Sequence, residues 1–440
     1  GANTSTTAAN GVVITTSYDT LARPTKISQT GQPDRHLRYH SLAVASYQAG
    51  TPKQVNRTDI LGRPVRSETT GFNGELIYQD ISYNARGLTA SESAPYAAGG
   101  IIHNTTYTNY DVLGRAGKKV TPQTNGNLTV TYTYDGLKTE ITTDDLSMSR
   151  SYNSLKQLVQ TTDALGGITQ YSYDGGGNPI AIEDAAGNII SAHYDKLGRK
   201  TSVDDPNQGK TTFSYNAFGE LLSETDANSA TITYTMDTFG RVSQRDADGS
   251  IATFTWDTLK NGLLTSHSEN DISKTFQYDS AARVTATTTK IDTDSYTVSQ
   301  AYEANYGRLK SLKYPNNLTV GLSYNAHGYL QKEYNAASNY LYRETTAQDA
   351  LGNITHACLA GSSTAQCNSN GGFNLSVDNE YDLKAGQMLS SQATGHRNGA
   401  TAIIHHLSYS SYDSYSNLLT QSNLVSGLTA TDTFTYDALH

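Results

Sequence analysis

The sequence predicts an all-β fold, a repetitive ribbon of antiparallel hairpins. Three observations predict it: an aromatic–acid signature that returns about every 21 residues, period-two alternation ahead of each signature, and an unusual composition. Of 440 residues, 31 are tyrosine and only 36% are apolar, against roughly 45–50% in ordinary globular chains. Threonine and serine are abundant and the large aliphatic residues scarce. Such residues suit pleated, half-buried surfaces more than one oily interior.

The period is clearest where the signature falls at Tyr152, Tyr173, Tyr194, Tyr215, Met236, Trp256 and Tyr278, with spacings of 21, 21, 21, 21, 20 and 22. The next residue is Asn153, Asp174, Asp195, Asn216, Asp237, Asp257 or Asp279. Three further on stand Gly177, Gly198, Gly219 and Gly240, replaced elsewhere by Lys156, Lys260 and Ala282. An earlier copy, Tyr110-Asp111-Val112-Leu113-Gly114-Arg115, shows the arginine that returns at Arg199, Arg241 and Arg283.

Each position has a physical reason. Phe213 with Tyr215, and Phe254 with Trp256, alternate as one packed face of a strand requires. Asp or Asn offers a short acceptor to nearby backbone N–H groups and so starts a turn. Glycine admits positive φ without steric cost. The arginines are expected to pair with the repeat aspartates, a stripe facing a ligand being the rival reading. A second strand follows, as in PIAIED, and a second turn, as in DAAGN. One period is therefore two short strands and two turns.

Hairpins alone are marginal in water, so successive ones must pair edge to edge. The expectation is one large curved sheet over residues 1–440, most regular at 107–290, with insertions at about 31–52 and 355–375. The second insertion carries Cys358 and Cys367, whose spacing permits a small disulfide loop; reduced thiols are the alternative.

The unit Y-D-x-x-G-R, seen at 110–115 and 194–199, resembles the YD repeat of the Rhs family. The same repeat occurs in the B and C components of insecticidal Tc toxins and, more distantly, in the teneurin barrel. The resemblance implies a spiral β-shell around a hollow interior that encloses a C-terminal toxic domain until delivery. It further implies a secreted, bacterial protein whose partner is that toxic domain or another shell component. Rhs cores typically end in a D-P-x-G stretch where the toxic domain is cut free. Asp205-Pro206 continues instead as Asn207-Gln208. The chain is thus expected to be a piece of a larger shell, without its completing N- and C-terminal domains.

No enzyme motif or cofactor fingerprint appears, and neither a cofactor nor a metal is expected. Asp144 with Asp145, Asp204 with Asp205, and Asp246 with Asp248 fall where the period places turns. The signature acids recur copy after copy, whereas a catalytic group need occur once. His396 and His405-His406 lack metal-ligand spacing. A formal charge of −9 with no dense Lys/Arg patch argues against nucleic acid, and no apolar run is long enough for a membrane helix. Aromatic faces can stack on sugars, so the alternative function is a cell-surface adhesin or glycan-binding module.

Overall fold

The computed structural model describes residues 3–143, 146–361, 373–397, 400–425 and 427–437. Among them, 39 strands join in one sheet, all paired antiparallel. Strands pair with their neighbours in sequence except at one fork: Leu76–Tyr83 holds both Thr89–Ser93 and the two-residue strand Tyr96–Ala97 along one edge, and Thr89–Ser93 pairs onward with Asn104–Thr108.

The 21-residue period is visible directly. Strand Ile168–Tyr173 turns into Pro179–Glu183, which turns into Ile189–Tyr194 and then Lys200–Asp205. Residues 31–52 carry a further hairpin of the same ribbon, Arg35–His40 with Ala43–Gln48. In the second insertion Ile354–Gly361 pairs with Phe373–Tyr381. Cys358 is buried there, while Cys367 lies outside the described residues, and with it the loop that the pair would close.

At every regular signature the register slips by one residue. Ser172 faces Ala181 but Tyr173 faces Pro179, and the same bulge recurs at Tyr194, Tyr215, Met236, Trp256 and Tyr278. A bulge bends its strand and sharpens the local twist. One bulge per period, always beside the signature turn, bends the ribbon the same way each time.

The ribbon therefore coils, and the contacts between windings measure the coil. The turn after the third strand meets the turn after the twenty-seventh, where Arg283 Nη1 donates to the Gly31 carbonyl at 3.2 Å. Arg308 Nη1 donates to Gly50 O at 3.0 Å across the fifth and twenty-ninth strands. Asn325 Nδ2 reaches Phe72 O at 2.7 Å and the Tyr329 hydroxyl reaches Thr70 O at 2.9 Å across the seventh and thirty-first. Farther along, Asn125 Nδ2 donates to Tyr412 O at 2.6 Å.

One winding is thus about 24 strands. At roughly 4.8 Å per strand its circumference is about 115 Å. The two rims of the ribbon play different parts. The signature turns of the later winding sit on the other turns of the earlier one, and the sheet spirals without closing as a barrel.

Little of this is core. Buried apolar side chains are few and mostly small, such as Ala192, Ala252 and Ala286, with Phe72, Ile77, Tyr96 and Leu341 the larger ones. The accessible surface is 25072 Å², where a compact monomer of this mass would expose about 16,000 Å². A single layer with both faces open accounts for the excess.

The seams between windings depend on glycine. A Cβ on Gly31 would fall 2.3 Å from that of Ala281, whereas one on Gly187 would meet nothing within 4 Å; φ is +78° and +83° at the two sites. Gly187→Ala should therefore cost about 1 kcal/mol from backbone strain alone. Gly31→Ala should cost clearly more, as measured by denaturant unfolding. Equal losses would mean that the windings do not bear on each other there.

Candidate functional site

The recurring constellation is the signature corner, and it is built from backbone outward. In the copy at Tyr110–Arg115, Asp111 Oδ1 accepts the N–H groups of Leu113 and Arg115, both at 2.9 Å. The Asp111 N–H donates to Arg115 O, and the Gly114 N–H returns to Asp111 O. Gly114 has φ +79° to close this five-residue turn. The same closure occurs at Gly177, Gly198, Gly219 and Gly240, while Lys156 and Ala282 adopt positive φ as non-glycines. Asn216 makes the same two Oδ1 bonds with its carboxamide. Either residue serves, because one side-chain oxygen does this part.

The second carboxylate oxygen holds the arginine. Arg115, Arg199, Arg241 and Arg283 donate Nε to Oδ2 of Asp111, Asp195, Asp237 and Asp279 at 2.6–2.8 Å. At Asp174 the side chain of Asn178 takes that place at 2.9 Å. Each guanidinium then lies over an aromatic ring of the next repeat: Arg199 over Tyr215 at 5.0 Å, Arg241 over Trp256 at 4.9 Å, Arg283 over Tyr302 at 4.2 Å.

The aromatic residue closes the chain of contacts. Tyr173, Tyr215 and Tyr278 donate their hydroxyls to the carbonyls of Leu158, Lys200 and Leu264 at 2.8, 2.8 and 2.7 Å. Tyr110 does the same to Thr89 O. Trp256 substitutes its indole N–H, donating to Val242 O at 2.9 Å. Tyr194 ends its strand in the same place without such a bond among the described contacts. Each acceptor begins the second strand of the preceding signature hairpin, beside the bulge. The hydroxyl, and hence tyrosine over phenylalanine, joins one repeat to the last.

Titration follows the geometry. The Arg115 backbone N–H and then its side chain hold the Asp111 carboxyl below its ordinary value. The Asn178 side chain and backbone N–H do the same for Asp174, and the Arg199 backbone N–H leads at Asp195. Burial raises the phenols of Tyr110 and Tyr278.

The other acidic clusters are turn or strand residues. Asp204 and Asp205 are neighbours in one strand, so their side chains point to opposite faces. Asp246 Oδ1 caps the Gly249 N–H at 2.8 Å, and Asp248 has φ +50°. Asp144 and Asp145 lie outside the described residues, as does the side chain of His396. His405 and His406 are strand neighbours. Among the described residues no group of three or more His, Cys, Asp or Glu could hold a metal, and no helix is long and apolar enough to cross a membrane.

Two clusters were not legible in the sequence. Arg66 binds Asp80 through Nε and Nη2 at 2.6 and 2.8 Å, and the buried Tyr96 donates to the same carboxylate at 2.6 Å. They lie where the ribbon forks at Leu76–Tyr83. Arg38, His40, Lys53 and Arg57 line a recess of about 600 Å³ beside Glu68 and Tyr47. Arg38 and His40 come from Arg35–His40, while Lys53 precedes and Arg57 lies in Gln54–Thr58, so no basic run announces it.

Comparisons with known proteins agree with this architecture. Residues 101–271 match the family model described as Teneurin YD-shell. No curated protein matches the chain in sequence. The solved TcdB2-TccC3 structure is similar over 98% of this chain and 28% of its own, at 13% identity and a TM-score of 0.79. TcdB2-TccC3-TEV is similar over 99% and 31%, at 12% identity and 0.78. TcdB2-TccC3 without its hypervariable C-terminal region follows at 14% identity and 0.70, over 89% and 22%. The chain spans about a third or less of those structures.

Two outcomes test the corner. Tyr215→Phe should lose about 1 kcal/mol by removing the hydroxyl bond to Lys200 O, read by denaturant unfolding, while Tyr194→Phe should lose less. Because the folded-state pKa of the signature aspartates is depressed, their stabilisation is complete above the unfolded value near 3.9 and is lost as pH falls through the folded values. The midpoint of thermal unfolding should therefore hold from pH 7 to about 5 and drop below about 4. A flat profile down to pH 2.5 would contradict the role given to these carboxylates.

Proposed function

Because this chain is a YD-repeat, Rhs-like shell domain structurally related to the Tc toxin B/C shell components, we propose that it encloses and shields a toxic protein domain until delivery. The shell itself is an all-β, non-catalytic scaffold whose recurring side-chain clusters brace turns. One observation carries the containment reading: a single-layered ribbon coils with about 24 strands per winding, and its windings are laced together by hydrogen bonds.

A wall of this kind suits containment physically. Pairing along the ribbon satisfies most strand edges within a winding, and hydrogen bonds tie one winding to the next at several turns. One face of the sheet carries Ser and Thr ladders, such as Ser214 with Ser223 and Thr253 with Ser268, both at 2.7 Å. The cargo in this reading is a C-terminal toxic domain of the full-length protein or one brought by a partner shell component, in a secreted bacterial toxin.

The test is a density map of the purified chain, with small-angle scattering alongside. The expected result is an empty lumen and a radius of gyration above the ~22 Å of a compact chain of this length. A solid particle at the compact value would sink the proposal. Saturable binding to a glycan array by a solid particle would point to the adhesin reading instead.

A further inference from the structure

We propose that the basic recess on the face of the early strands binds the phosphoryl dianion of a small phosphate monoester, clamped between Arg38 and Lys53. The inference goes beyond containment and does not rest on it.

Pairing register builds the recess. In Ala43–Gln48, Ala43 faces His40 on one side and Arg57 on the other, and Ala45 faces Arg38 and Val55. Val55 in turn faces Glu68. Directly paired residues share a face of the sheet, and every second residue along a strand returns to it, so these side chains stand together. The middle strand contributes only methyl groups there, and Ala45 is buried, while its neighbours raise long cationic side chains around it. At about 4.8 Å per strand, the cations on the two flanking strands stand about 10 Å apart across the alanines. A group seated over Ala45 is within reach of both. The opening of about 600 Å³ falls in the range of small-molecule sites. It lies within the sheet face: strands are paired on both sides, and the nearby turns at Gly31 and Gly50 already meet the second winding.

The charges of the recess are not balanced from within. Arg57 Nε donates to Glu68, which commits that carboxylate. Arg38 lies over the Tyr47 ring at 5.3 Å, and His36 stacks with the same ring at 5.1 Å. The ring orients the guanidinium without using its N–H donors. Among the described arginines, only the side chains of Arg38, Arg150 and Arg343 make no hydrogen bond or ion pair, and that of Lys53 makes none either. Arg38 and Lys53 line the same recess. Three cations against one carboxylate leave it two positive charges, in a chain whose formal net charge is −9.

A phosphate monoester matches that remainder. It carries about −1.5 to −2 at neutral pH and offers three strong acceptor oxygens. The planar fork of Arg38 suits two of them, and Lys53 adds a point charge. A carboxylate or a sulfate ester has a single negative charge and would leave the recess partly uncompensated. Ala43, Val55 and the Tyr47 ring give the organic part of the ester an apolar wall.

The test is calorimetric titration of the whole chain with phenyl phosphate at neutral pH and low salt, checked by phosphorus NMR. Saturable binding is expected, weaker at high salt. Phenyl sulfate, a monoanion of nearly the same shape, should bind at least about fivefold more weakly, and phenol should give no heat. Arg38→Ala and Lys53→Ala should each weaken phenyl phosphate at least about fivefold. Arg38→Lys should recover only part of that loss, because lysine keeps the charge without the fork. Arg150→Ala removes another arginine without an acceptor, on a different part of the sheet, and should leave the affinity unchanged. All three positions are exposed, so the variants should keep the wild-type circular dichroism; Arg38→Lys serves alone if Arg38→Ala does not. No saturable binding below about 10 mM overturns the proposal. So does phenyl sulfate or phenol bound as tightly as phenyl phosphate, or an Arg150→Ala loss as large as that of Arg38→Ala. None of these results bears on the lumen, so failure here is distinct from failure of containment.

Discussion

One side-chain oxygen per repeat holds two backbone N–H groups of a five-residue turn, and the rest of the structure hangs from that restraint. With Asp111 Oδ1 bound to Leu113 and Arg115, the chain must reverse within a fixed length. Oδ2 is left to orient the arginine, and the oriented guanidinium gives the next aromatic ring a surface to lie on. That ring's hydroxyl returns to the carbonyl beside the bulge. Turn, brace, stack and bulge are one linked set, which explains why they recur together and why a lapse in one is filled by a chemical equivalent. Asn178 stands in for arginine, and Trp256 for tyrosine.

No large core backs this set. A hydrogen bond of this type is worth about 1 kcal/mol net and an arginine–aromatic contact about 0.5–1 kcal/mol at exposed sites, so stability has to come from repetition. In a linear solenoid each unit touches only its two neighbours. Here the coil adds a second direction, because a turn also rests on the winding 24 strands away. Opening one hairpin then disturbs a distant one. Cooperation of this kind lets a wall one sheet thick hold its shape without packed side chains behind it.

The period, the turn chemistry and the arginine–aspartate pairing were legible because they are local: all lie within one 21-residue unit. The tyrosine's acceptor was less so, since the sequence marks an aromatic at Tyr215 but not which carbonyl its hydroxyl meets. The length of a winding was not legible at all. Nothing in the spacing of Tyr173 or Asp195 says that residue 31 will meet residue 281. That distance follows from the curvature added by each bulge, a sum over two dozen strands. The sequence does not mark the seam, and Gly31 looks there like any other turn glycine. The basic recess of Arg38, His40, Lys53 and Arg57 escaped for a similar reason, as only the pairing register brings those strands side by side.

The arginine shows how one module can serve both at a rim and at a seam. Its Nε always braces its own turn, while the terminal nitrogens take whatever stands next. Arg199 Nη1 donates to Asn216 O at 2.8 Å, Arg241 grips Asp257 with both terminal nitrogens, and Arg283 Nη1 spans Gly307 O and, one winding away, Gly31 O. A seam therefore requires no separate machinery. It requires only that the residue two places after the signature acid match the turn it lands on, small at Ala281 where Gly31 approaches closely, a contact in which a side chain the size of Phe218 could not sit.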